Sequence, residues 1–308
     1  MKIVSRKDPH IDIKSILDKI LPQVIKPARY IGGEPNSAHK HIEDVDISFA
    51  LAFPDVYEIG MSNLGLRILY HILNVDPRVS AERVFAPAAD MESLMRENKV
   101  PLFALESGRP LVDFDFIGFS LAYELSFTAV INMLDLAGIP LFSKDRSEDD
   151  PIIVAGGHCA SNPEPMSSYI DVFVIGDGED AVIDLVKTYR KANYERKTAL
   201  ELISNLPGVY VPQIHKAKAD RKLVTGRAVK SLEDTPYPTS LIIPHTEAVH
   251  DRVVLEVMRG CSRGCRFCQA GMLTRPVRER SVELLCNQAE ELLRGTGYDE
   301  IALSSLSS

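Results

Sequence analysis

Between residues 46 and 191 short apolar runs alternate with stretches of helical period, and this alternation constrains the fold more than any other feature of the chain. ISFALAF (47–53) is an apolar run of the kind that forms a strand buried on both faces. SNLGLRILYHIL follows with apolar residues at helical spacing. RVFAP (83–87) reads as a short strand, MESLMRENK as a helix and PLFAL as a further strand or sheet edge. DFIGFSL (115–121) is a strand, and LSFTAVINMLDLAG is a helix that Gly138 closes. PIIVAGG (151–157) and DVFVIGDGE (171–179) are strands with glycine-rich ends, and EDAVIDLVKTYRK is the last helix.

Strands that alternate with helices predict an α/β fold: a doubly wound, Rossmann- or flavodoxin-like domain with a parallel sheet over 46–191. Residues 1–45 read as an N-terminal adaptor, with helical spacing in IDIKSILDKILPQVI and turns in RYIGGEPNSAHK. Residues 192–250 change texture. PGVYVPQ, KLVTGRAVK and TPYPTS predict a small hairpin and an extended linker. VVLEVM (253–258), a helix over 281–294 and EIALSSLS (300–307) then predict β-α-β, the opening of a (β/α) barrel over 251–308.

A loop follows the first of those two strands: Cys261-Ser-Arg-Gly-Cys265-Arg-Phe-Cys268. Thiolates this close together suit an iron–sulfur cluster. A cubane cluster has four irons and the loop offers three thiolates, so one iron keeps an open position, as catalytic metals do. A structural zinc site would need a fourth ligand. No His lies beyond His250, and Cys286 sits in a helical run where a lone Cys is usually a small buried hydrophobe. Cys159, after Gly156-Gly157-His158, reads as structural.

The Cys loop resembles that of the radical SAM enzymes. The resemblance implies a [4Fe-4S] cluster on Cys261, Cys265 and Cys268, with S-adenosylmethionine chelated by the open iron and Phe267 in the family's aromatic place before the third Cys. It further implies reductive cleavage to methionine and a 5′-deoxyadenosyl radical, driven by a reductant such as flavodoxin or ferredoxin. Ser304 and Ser305 stand where the family has a Gly-Gly-Glu-like element for the SAM amino group. Upstream, Asp55-Val-Tyr57-Glu-Ile-Gly60 resembles the D-x-H-x-x-G loop of cobalamin-binding domains. Ser120-Leu121 resembles their S-x-L, and Gly156-Gly157 their Gly-Gly for the nucleotide tail. Tyr57 replaces the cobalt-ligating His, so any cobalamin is expected to bind with no protein nitrogen on cobalt.

Composition adds three expectations. Five cysteines and a polar N-terminus place the chain in the reducing cytoplasm, and no apolar run reaches the ~18 residues of a membrane span. The net charge of −8 is uneven, because six Arg and one Glu fall between Arg259 and Arg280. Those arginines fit three roles: offsetting a negative thiolate-bound cluster and pairing with a substrate carboxylate, contacting the phosphates of RNA, or lining a solvated loop. Asp177 and Glu179, at the start of the last helix, read as helix caps. Finally, a barrel βα unit takes about 30 residues. The segment 251–308 therefore predicts only part of a barrel, with little SAM cleavage unless a second chain supplies the remaining strands.

Overall fold

A computed structural model describes residues 13–216 and 223–307. Its main sheet is built around β1 (Ile47–Phe53), which is buried at every position. On one side lies β2 (Val79–Phe85), and on the other β3 (Phe116–Ser120), β4 (Ile152–Gly156) and β5 (Val172–Val174), all parallel. β6 (Val209–Tyr210) closes the far edge antiparallel to β5, so the order is β2-β1-β3-β4-β5-β6. This is a flavodoxin-like order, which reverses between β1 and β3.

Alternate residues of β1 face opposite layers. Ile47, Phe49, Leu51 and Phe53 point into one apolar cluster, and Ala50 and Ala52 into the other. The first cluster is shared with α2 (Tyr57–Met61), α3 (Leu64–Val75), α6 (Glu179–Lys191) and α7 (Arg196–Ile203). The second is shared with α1 (Ile13–Ile20), α4 (Ala89–Glu97) and α5 (Phe127–Leu136). Each large side chain buried in these layers stabilises the fold by roughly 1.5–3 kcal/mol.

The predicted α/β architecture is present, with four local differences. β2 begins at Val79 rather than at 83, because its middle carries Glu82 and Arg83, which broke the apolar pattern. Both are buried with partners: Arg83 pairs with Glu34 and Glu106, and Glu82 accepts from the Ser107 backbone N–H. PLFAL forms no strand. Leu102 N–H donates to Leu136 O, Ala104 N–H to Arg109 O and Leu105 N–H to Arg83 O, so its backbone is satisfied at three different places. Residues 192–250 carry α7 and the strand β6, followed by the short α8 (Pro212–His215). Among the described residues PGVYVPQ pairs with β5 rather than in a hairpin, and KLVTGRAVK touches the sheet through a bridge between Gly176 and Arg227.

The last segment forms the expected β-α-β. β7 (Val253–Glu256) and β10 (Ile301–Ser304) pair in parallel, with α10 (Val282–Thr296) between them. Ser281 caps α10 by accepting from Leu284 N–H, and Gly297 ends it in the left-handed conformation. A small ribbon, β8 (Met258–Arg259) with β9 (Arg278–Glu279), encloses the short helix α9 (Ala270–Leu273). Val253, Leu255 and Leu292 join the apolar cluster of β1 and α3, so this segment rests on the α3–α6 face of the sheet.

Candidate functional site

β7 and β8 deliver the three-cysteine loop at their carboxyl end. Cys261 is buried, Cys268 half-buried and Cys265 exposed. Two backbone N–H groups already point at sulfur: Arg263 N lies 3.5 Å from Cys261 Sγ, and Gly271 N lies 3.3 Å from Cys268 Sγ. Such N–H···S contacts stabilise thiolate charge. Gly271 sits in the crook of the loop, where an added Cβ would lie 3.5 Å from Cys268 Sγ and 3.8 Å from Cys261 Cβ. Among the described residues no three His, Cys, Asp or Glu side chains gather round one ion-sized point. A cubane spreads its thiolates over separate irons, so the donor chemistry of three cysteines on one loop fits a cluster. Phe267 is 93% exposed beside this loop. Cys286 is exposed on α10, not the buried hydrophobe its pattern predicted. Cys159 is buried, and burial together with the charge of Glu124 pushes its thiol pKa up, as suits a structural role.

The arginines near the loop divide in two. Arg259, two residues before Cys261, pairs with Asp177 at 3.0 Å, Glu179 at 2.8 Å and Glu256 at 2.9 Å. Arg278 also pairs with Asp177, and Arg280 with Glu256 at 3.2 Å. Burial alone would lower the Arg259 pKa, but the bond and charge of Glu179 and the charges of Glu256 and Asp177 raise it above the ordinary value. Asp177 and Glu179 are therefore not helix caps. α6 has no side-chain cap, and Asp177 accepts instead from Val229 N–H and the two arginines. This hub ties the cluster strand to the end of β5. It accounts for three of the six arginines without a solvated loop or RNA. Arg263, Arg266 and Arg275 remain exposed.

The hub and the chain path bring the loop over the sheet. α9 lies beside the His158–Ser161 turn that follows β4. Gly157 in that region has φ +97° and is pressed against β3's exit: an added Cβ would lie 2.7 Å from Leu121 O. Leu121 N–H donates to Gly156 O at 2.7 Å, and Cys159 N–H to Leu121 O at 3.1 Å. Ser120-Leu121 and Gly156-Gly157 are thus brought together, and their interlock gives Gly157 a reason in backbone packing alone. The serines at the end of β10 also reach this region. Ser304 and Ser305 are exposed, and Ser307 Oγ accepts from Arg263 Nε at 3.3 Å.

Tyr57 does not face this region. It is 1% exposed, donates to Glu34 Oε1 at 2.9 Å and accepts from His245 N–H at 3.3 Å. Burial and the neighbouring Glu34 push its phenol pKa well above the ordinary range. A phenol so enclosed is no axial ligand. Gly60 packs tightly instead, since an added Cβ would lie 2.2 Å from the Phe85 ring. Asp55, just past β1, instead meets the loop that follows β3: its Oδ2 accepts from Tyr123 OH at 2.9 Å. Tyr123 and Glu34 were not singled out in the sequence, since neither stands in a recognisable pattern.

Residues 65–212 match a family model described as radical SAM proteins, N-terminal. The mixed α/β fold, with its mainly parallel six-strand sheet, matches part of the fold of cobalamin-dependent radical SAM enzymes. One solved neighbour is the cobalamin-dependent S-adenosylmethionine radical enzyme OxsB, with aqua-cobalamin and S-adenosylmethionine bound. It matches with a TM-score of 0.55 and 19% identity, over 81% of this chain and 32% of that one. A second is the radical S-adenosylmethionine methyltransferase TsrM from Kitasatospora setae, with tryptophan substrate and a SAM analog bound. Its TM-score is 0.55 at 13% identity, over 83% of this chain and 47% of that one. At these identities the likeness is one of fold. An uncharacterized protein of Methanocaldococcus jannaschii is 27% identical over 257 residues, 82% of this chain and 48% of that protein. The chain thus spans about half the length of the curated relative it matches. Family model and fold agree with the resemblance to radical SAM proteins that carry a cobalamin-binding-like domain.

Proposed function

We propose that this chain provides the cluster-binding and cobalamin-binding parts of a radical SAM enzyme. Cys261, Cys265 and Cys268 would hold a [4Fe-4S] cluster, whose fourth iron, left without a thiolate from this loop, would be free to bind S-adenosylmethionine. The observation that carries this reading is the crook at Gly271, with two N–H groups already directed at cysteine sulfurs. When bound, the cluster supplies the electron that cleaves S-adenosylmethionine to methionine and a 5′-deoxyadenosyl radical. The chain's own residues position that chemistry. Arg259 and its three carboxylate partners fix the loop over the carboxyl end of the sheet. Phe267, Ser304 and Ser305 are exposed beside the loop, where they can meet the adenosyl and amino groups. Exposed Arg263, Arg266 and Arg275 offer a basic face to an acidic electron donor such as flavodoxin or ferredoxin.

The cobalamin part rests on the crevice at the strand-order reversal, where such folds bind ligands. Residue 57 is a tyrosine turned inward to Glu34, so it would offer a bound cobalt neither an imidazole nitrogen nor its phenol oxygen. A cytoplasmic location, where thiolates stay reduced, suits the loop. Among the described residues no helix is long and apolar enough to cross a membrane. On β10, Ile301 and Leu303 are 41% and 69% exposed, an apolar face that further barrel strands from a longer chain or a second chain would cover. Reductive cleavage is tested by reconstituting the protein anaerobically and measuring 5′-deoxyadenosine after addition of dithionite and S-adenosylmethionine. Formation should rise when strands that cover the exposed face of β10 are supplied, and its absence even then would contradict the reading.

A further inference from the structure

Resting on the cobalamin part of the reading above, we propose that Tyr123, oriented by Asp55, is the protein group presented to the underside of a corrinoid. β1 leads into helices on one face of the sheet, and β3 leads into α5 on the other. Their exit loops therefore diverge, and the crevice between them is where a planar ligand can settle on the strand ends. One side-chain bond crosses that crevice, from Tyr123 OH to Asp55 Oδ2 at 2.9 Å. Tyr123 is 42% exposed, whereas Tyr57 is 1% exposed and committed to Glu34. The loop bearing Tyr123 is anchored from beneath by the Leu121 backbone bonds to Gly156 and Cys159.

The chemistry of the pair fits the role. A phenol whose proton is given to a carboxylate keeps its oxygen lone pairs free for a group on its other side. Carboxylates stand behind metal-bound imidazoles in the same way, fixing the ring and raising the basicity of the donor atom. The hydrogen bond and charge of Asp55 also hold the Tyr123 phenol in its protonated form, since they raise its pKa. The ring, 42% exposed, offers an apolar surface to a macrocycle. Asp55 thus serves residue 123 rather than residue 57.

The test loads the full chain with hydroxocobalamin, reduces the cobalt to Co(II) and records its electron paramagnetic resonance spectrum. The unmodified chain should show no nitrogen splitting. Tyr123→His places an imidazole against Asp55, and the cobalt signal should gain the triplet splitting of one axial nitrogen. Tyr57→His, buried away from the crevice, should gain none. Tyr123→Phe should keep the fold and weaken cobalamin binding about 2- to 10-fold, the effect of one lost hydrogen-bonding group. Retained cobalamin without splitting in Tyr123→His, or splitting in Tyr57→His, would overturn the assignment of Tyr123. So would Tyr123→Phe binding as tightly as the parent. If the unmodified chain retains no cobalamin at all, the cobalamin reading fails and this inference fails with it.

Discussion

Replacing Arg259 with Met should loosen the cluster strand from the rest of the protein. The guanidinium meets Asp177, Glu179 and Glu256, and the four side chains are between 6% and 15% exposed. Removing one partner from a buried ion pair costs about 3–5 kcal/mol, because the remaining charge stays desolvated. Here Asp177 keeps Arg278 and Glu256 keeps Arg280, so the stranded carboxylate is Glu179. Water also reaches the more exposed members, which places the cost near the lower end, about 3 kcal/mol. That corresponds to about a hundredfold increase in the open population of this strand. Amide hydrogen exchange at residues 253–259 reads that population directly. The double variant Arg259→Met with Glu179→Gln removes the stranded charge and should recover much of the protection. An exchange rate that rises less than fivefold in Arg259→Met, or no recovery in the double variant, would show that the hub does not hold the loop.

Three further outcomes follow from named contacts. Burial would raise the pKa of Glu34, but the charge and hydrogen bonds of Arg83 outweigh it, so its folded value lies below the ordinary glutamate value of about 4.3. Its contribution is therefore complete above that value and lost as pH falls through the lower folded value; an acid titration of stability should be shallower in Glu34→Gln. Gly157→Ala forces a side chain into φ +97° against Leu121 O, and should lower stability by about 1–3 kcal/mol in a denaturant titration. Cys286→Ala should leave the cluster's visible absorbance intact, while Ala at 261, 265 or 268 abolishes it.

The strands that could be read from the sequence are those buried on both faces. ISFALAF, DFIGFSL and PIIVAGG each carry a run that only a central strand explains, and the flavodoxin-like order follows from their crossovers. The apolar pattern starts β2 four residues late because Glu82 and Arg83 look like surface residues, and only their buried partners show otherwise. α7 was missed for a related reason. It follows Asn193 and Tyr194, both at positive φ, has no side-chain cap, and begins with an Arg196 that is buried against Asp171. The cysteine loop was legible because its spacing is itself the chemistry. Its support was not: Asp177 and Glu179 were read as local caps, and a partner as far along the chain as Arg259 leaves no trace in a local pattern. Tyr57 shows the reverse. A motif fixes which residue stands in a position, and the packing around Glu34 decides where its side chain points.

The central claim is that three cysteines of one loop hold a cluster with an open iron. The most direct measurement is iron and sulfide content together with the electron paramagnetic resonance spectrum of the reduced, reconstituted protein, before and after S-adenosylmethionine is added. The account predicts about four irons and four sulfides per chain, with a cluster signal that changes when S-adenosylmethionine binds. Bound zinc in place of iron, or a cluster signal indifferent to S-adenosylmethionine and lost in Cys286→Ala, would contradict it.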